Sequence, residues 1–326
     1  MSRPDSRSRG LRRRPAPGRA GRGPTRVLLP ALVCCAVGAG GLPARGAIPA
    51  FPTERAWAHL EAQCDLGPRN PGSEGHRAGR RYLRERLAAA GGRISEQSFR
   101  HTTPGLPQPV ELTNLIARFG PRRAGGLLLG AHWDTRPWAE RDPDPEARER
   151  PILGANDGAS GVALLLGLAE LFAEQPPPLP VQLVFFDGED LGRSGHPEEY
   201  LAGSLHFAAH LPTPYPDAAF VFDMVASESM QLAIEQRSRL QFPDLAAMVE
   251  QLAVEEGVTS FVPDYGPAVI DDHLPLIEAG LPAVLLVDFR DPVWHTQADT
   301  PERCSPESLA EAGRIATRLV YGGFFR

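Results

Sequence analysis

The stretch Val181–Asp190, VQLVFFDGED, decides how the rest of the chain is read. Its first six residues are apolar or aromatic apart from one Gln, the composition of a strand buried on both faces. The run stops at Gly188 and sets Asp187, Glu189 and Asp190 within four positions. Adjacent carboxylates repel one another, and burying them together is costly unless a cation lies between them. A core strand that ends this way calls for a cation.

Working outward, the same kind of strand recurs. GGLLLGAHWD (125–134), AAFVFDMVA (218–226) and LPAVLLVDF (281–289) are apolar runs, and SMQLAIEQ (229–236) reads as a further strand. RISEQSFRH (93–101) and VELTNLIARFG (110–120) alternate and read as strands exposed on one side. Helical patterns lie between them, over 53–64, 73–90, from Ala159 to about 175, 197–211, 242–257, 271–280 and 305–325. Ser73 and Ser305 stand where helix caps belong. The segment from Ala159 is apolar nearly all round, hence a buried helix. Strands alternating with helices predict a single-domain, three-layer α/β/α sandwich with a mixed, mostly parallel central sheet over 48–326.

The 326 residues, 42% hydrophobic, suffice for such a core. All 34 basic residues are Arg, which excludes a Schiff-base lysine or a Walker-type phosphate lysine. Residues 1–45 carry ten Arg and one Asp. The total charge is −6, so the remainder is at −15, which argues against nucleic acid as a partner. Residues 1–47 have the basic, apolar and small-residue order of an export signal. The expectation is a periplasmic or secreted protein; a retained membrane anchor is the alternative. Cys64 and Cys304 are left after the leader and, in an exported protein, suggest one disulfide or two buried thiols.

Each apolar strand ends in an acid or a histidine. His132 and Asp134 end one, Glu189 and Asp190 another, and Asp223 a third; the last leads to His295, and Asp157 opens the buried helix. Taken singly, Asp157 is a helix cap and the others are strand-end or loop residues. Ligands in open α/β sheets bind beyond the carboxyl ends of the strands. One divalent cation there would explain all the groups together, and carboxylate and imidazole are ordinary zinc ligands.

The ordered pieces HWD, NDGASG, FFDGED, FDM, DDHLPL and VWHT resemble the zinc aminopeptidase superfamily and, within it, the animal-type glutaminyl-peptide cyclotransferases, from about residue 55 to the C-terminus. The resemblance implies a zinc ion on Asp157, Asp190 and His295, with Glu189 as the general acid–base. Asp223 and Asp271 would form a network around the leaving group, and Trp294 would line the substrate pocket. In the aminopeptidase branch His132 and Asp223 complete a second zinc site bridged by Asp157. The implied substrates are the N-termini of peptides or proteins, either cyclised from Gln or hydrolysed. Three positions depart from the pattern: Asp190 where Glu is usual, Gly158 where the cyclases have Ser, and no Trp in LGRSGHPEEY. Trp133 or Trp138 is then the expected replacement for that Trp.

Overall fold

The computed structural model describes residues 47–263 and 268–325; the leader and its cysteines lie outside them. In chain order the elements are α1 (Thr53–Asp65), α2 (Glu74–Ala89), β1 (Arg93–His101), β2 (Val110–Phe119), β3 (Leu127–His132), α3 (Ala159–Glu174), β4 (Val181–Phe186), α4 (Ala202–Ala209), β5 (Ala218–Asp223), β6 (Ala233–Ile234), α5 (Gln236–Gln241), α6 (Pro243–Glu255), α7 (His273–Glu278), β7 (Ala283–Val287) and α8 (Pro306–Tyr321). The seven strands form one sheet in the order β1-β2-β4-β3-β5-β7-β6. β4, β3, β5 and β7 run parallel at its centre, while β1, β2 and β6 pair antiparallel at the sides.

The apolar runs fill two cores because successive side chains of a strand point to opposite faces. Leu127, Leu129 and Ala131 of β3 join Phe220 and Phe222 of β5 in the core under α1, α3, α6 and α8. Leu128, Ala219 and Val221 face the other core, with Phe207 of α4 and Leu276 of α7. The expected three-layer sandwich is therefore what the chain forms. Ser73 caps α2 by accepting from the His76 N–H, and Ser305 caps α8 by accepting from Glu307 and Ser308.

Two elements differ from the sequence reading. The strand expected over 229–236 joins the sheet only at Ala233 and Ile234, with a single bridge from Leu232 to Phe261, because the Glu235 carboxylate accepts from the Ser238 N–H and starts α5. The helix expected over 197–211 is broken into a single 3-10 turn, Pro197–Glu199, and α4. Leu201, at φ 64°, makes the break. Its N–H donates to the Glu189 carbonyl and that of Ala202 to the Gly188 carbonyl, so the chain bends to follow the end of β4. The possible disulfide is corrected: Cys64 and Cys304 are free thiols. Cys64 packs as a small apolar side chain in the core and Cys304 packs against it; burial pushes the Cys64 thiol up to about 11. No helix of the described residues is long and apolar enough to cross a membrane.

α3 approaches the sheet closely because position 161 is Gly. A Cβ there would run into the Phe222 carbonyl oxygen and lie 2.9 Å from the Ala131 Cβ. These neighbours immediately precede Asp223 and His132, so this contact sets how the helix meets two strand ends. Gly161→Ala should lower stability by about 1–3 kcal/mol, read from the denaturant midpoint. An unchanged midpoint would mean that α3 shifts freely.

Candidate active site and metal centre

The four central strands are parallel, so their carboxyl ends lie on one side of the sheet. β3 delivers His132 and β5 Asp223 as their last residues, β4 runs on to Glu189 and Asp190, and the segment after β7 carries His295. Asp157 does not cap α3. Gly158, at φ 95°, occupies the cap position without a side-chain bond and leaves the Asp157 carboxylate free to turn to the strand ends.

These groups form two clusters that share Asp157. In the first, His295 Nε2 is 3.5 Å from Asp157 Oδ2 and 3.5 Å from Asp190 Oδ1. In the second, His132 Nε2 is 3.2 Å from Asp157 Oδ1 and 3.1 Å from Asp223 Oδ1. In each cluster one donor atom per residue lies within 4.8 Å of the others. Donors arranged tetrahedrally at about 2.0–2.1 Å from zinc stand roughly 3.3 Å apart, close to the spacing in the first cluster. Asp157 Oδ2 and Asp190 Oδ2 are buried with no hydrogen-bond partner. A buried carboxylate oxygen left unpaired is costly, and a cation between the three residues would satisfy both. The donor set fits zinc.

The electrostatics show how much negative charge is gathered here. Burial, then Asp190, raises Asp157 to about 6. Burial opposes ionisation of Asp190 too, but His295 and Arg136 outweigh it and hold the group at about 2. Burial alone would lower His295; Asp190 and Glu140 instead raise it to about 9. His132 is likewise raised well above the imidazole range, against burial, by Asp134, Asp157 and Asp223.

The surrounding support was invisible to the sequence reading. Arg136, fully buried, donates from Nη1 to Asp190 Oδ1 at 2.8 Å and from Nε to Glu140 Oε2 at 2.6 Å. Glu140 Oε1 lies 2.8 Å from His295 Nδ1, which leaves Nε2 facing the cluster. The Asp134 carboxylate accepts from the N–H groups of both Glu189 and Asp190, at 3.1 and 3.2 Å. Asp299 accepts from the N–H groups of Asn156 and Asp157. His295 and Met224 have φ of 60° and 51°, in the left-handed region that costs a non-glycine residue about 1–2 kcal/mol. His295 is itself a cluster residue and Met224 follows Asp223, so the packing around the site holds this strain.

Asp157, Asp190 and His295 line a cavity of about 510 Å³, together with Glu189, Asp223, Asp271, Trp294, Tyr200 and Ile270. Burial, followed by Asp190, raises Glu189 well above the carboxylate range; Asp271 and Asp272 add to the shift. Asp271 is raised in the same way by burial, Asp223 and Asp272. His273, two residues after Asp271, lies with Nε2 3.1 Å from Glu235 Oε2 and anchors this segment. Trp294 packs against Phe289 and against the His295 ring, with centroids 4.6 and 3.9 Å apart.

Neither Trp133 nor Trp138 takes the place of the missing loop Trp. Trp133 is fully buried, donates to the Thr113 carbonyl and stacks on His76. Trp138 packs against Gly105. The loop wall of the cavity is made by Ser194, Gly195, Pro197 and Tyr200.

The sequence profile of peptidase family M28 matches residues 114–320. A mouse glutaminyl-peptide cyclotransferase-like protein is 29% identical over 276 residues, covering 76% of this chain and 70% of the relative. Among solved structures, the Bacteroides thetaiotaomicron glutaminyl cyclase bound to N-acetylhistamine superposes with a TM-score of 0.81. It is 30% identical, over 84% of this chain and 99% of that one. A Zn-dependent exopeptidase from Parabacteroides distasonis gives a TM-score of 0.80 at 30% identity, over 84% and 99%. The profile spans the segment from β2 to α8 that carries every cluster residue, and the chain belongs to peptidase family M28.

Proposed function

We propose that this chain is a zinc-dependent glutaminyl-peptide cyclotransferase, which converts the N-terminal Gln of a peptide to pyroglutamate and releases ammonia. The observation that carries this reading is the floor of the cavity. A three-residue donor set, Asp157, Asp190 and His295, lies there next to Glu189, a carboxyl group of raised basicity, with Asp271 on the same lining. The mouse and Bacteroides relatives named above support the choice of reaction.

Asp157, Asp190 and His295 would hold the zinc. When bound, the ion polarises the side-chain amide carbonyl of the substrate and stabilises the negative charge developing on its oxygen. The N-terminal Gln folds back so that its own α-amine meets its side-chain carbonyl carbon. Glu189 accepts a proton as the amine forms the new C–N bond. It returns that proton to the amide nitrogen as the old C–N bond breaks, so ammonia leaves and a lactam remains. Asp271 and Asp223 face the departing nitrogen, and the negative field of Asp271 strengthens Glu189 as a base. The Trp294 face confines the substrate. The reaction is intramolecular, so holding that geometry provides much of the rate.

A second reading, a zinc aminopeptidase, draws on the second cluster. His132, Asp157 and Asp223 could hold another ion, and Glu189 would then deprotonate water. Two peptides separate the readings when each is incubated with the zinc-loaded protein and followed by mass. Loss of ammonia from a Gln-initiated peptide, with a Leu-initiated peptide intact, is the expected result. Release of free Leu would establish the peptidase instead.

Glu189→Gln should reduce kcat by at least about 100-fold while the zinc content stays at the wild-type level. Substantial turnover in that variant would remove Glu189 as the base. Arg136→Gln unpins Asp190 and Glu140 together, so zinc affinity should fall about 10–100-fold in a competition titration against a chromophoric chelator. An unchanged affinity would show that neither Asp190 nor Glu140 needs the guanidinium.

A further inference from the structure

We propose that Arg141 is a specificity residue that favours peptides with a carboxylate side chain at the second or third position. This inference rests on the cyclotransferase reading, because it concerns the peptide residues that come after the N-terminal Gln in the same cavity.

Arg141 lines the cavity and is exposed. Two contacts fix it. Its backbone N–H donates to the His295 carbonyl at 3.2 Å, which ties the residue to the donor segment. Its guanidinium carbon lies 4.5 Å from the centroid of the Trp294 ring. A guanidinium stacked on an aromatic face spends its face on the ring and keeps its N–H edge free. That edge matches a carboxylate in a bidentate pair.

The charges around it leave Arg141 without an ionic partner among the described residues. Arg136 is taken by Asp190 and Glu140, and Arg193 by Glu199. The two acids beside Arg141 in sequence are also engaged. Glu140 faces Arg136 and His295, and Asp142 accepts from the N–H groups of Gln297 and Asp144. Arg141 is thus the one unpaired cation on the cavity lining among those residues, at the rim of a site whose floor is lined with carboxylates. A peptide whose Gln reaches the floor must pass this rim, and Trp294 together with Arg141 forms the surface it crosses. An acidic side chain there pairs with the free edge, whereas a basic one meets like charge.

The test uses C-terminally amidated peptides, so that the only carboxylate is the chosen side chain. Gln-Glu-Ala-Ala and Gln-Ala-Glu-Ala are compared with the same peptides carrying Arg in place of Glu. kcat/KM and, for the corresponding pyroglutamyl products, Kd by calorimetry are measured for wild type and Arg141→Gln. At least one acidic peptide should be preferred over its basic counterpart by about 3–10-fold, with the ratio falling towards one in Arg141→Gln and at high salt. A wild-type ratio near one, or a preference that survives Arg141→Gln, overturns the proposal. If no peptide were cyclised, the functional reading would fall. The binding arm would still decide the role of Arg141, since a Kd preference abolished by Arg141→Gln supports it and an unaltered one refutes it.

Discussion

Asp190, carried just beyond the end of β4, and Asp223, at the end of β5, are both gathered around Asp157, which stands just before α3. Like charges at this spacing, shielded from water, can be held only if positive charge lies among them. The fold supplies part of it through His132, His295 and Arg136. One buried oxygen each of Asp157 and Asp190 still has no partner. The need for one more cation is therefore built into the backbone, and the proposed catalysis uses that need: an ion held by such a donor set is a strong Lewis acid because little water competes for it.

Holding the cluster falls to groups that do no chemistry. Asp134 and Asp299 each accept two consecutive backbone N–H groups, one at the end of β4 and the other just before α3. Arg136 links a donor residue to the carboxylate behind His295. Gly161 lets α3 rest on the backbone of β5 one residue before Asp223. Together they explain how left-handed backbone at His295 and Met224 persists: the neighbours over-determine it.

How far the sequence could be read depends on the range of each signal. The central strands were legible because burial on both faces makes them apolar over their whole length, and their polar ends then stand out as His132, Glu189, Asp190 and Asp223. The grouping of Asp157 with residues on other elements was legible only jointly, since alone it has the look of a helix cap. Arg136, Glu140 and Asp299 were not legible. Their roles are defined by partners up to 155 positions away, and in the sequence they sit in loops among other charges. The break at Leu201 carries no local signal, because Leu is a good helix former and only the tertiary contact with Glu189 bends the chain. The shortness of β6 is equally hidden, because its apolar alternation continues into residues that Glu235 claims for α5.

The clamp of Asp134 on two successive N–H groups also divides the protein's labour. It fixes the proposed base and a proposed metal ligand as one unit, so neither can be moved without the other. The rim is different in kind. Tyr200 and Ile270 line the cavity from outside the strands and, in the proposed function, meet the substrate there. Reactive parts that cannot drift independently, beside contact surfaces that can, are the conditions under which one scaffold diversifies its substrates while its chemistry stays in place. Altering this protein for a new peptide is accordingly a matter of rewriting loops, and the strand ends are best left untouched.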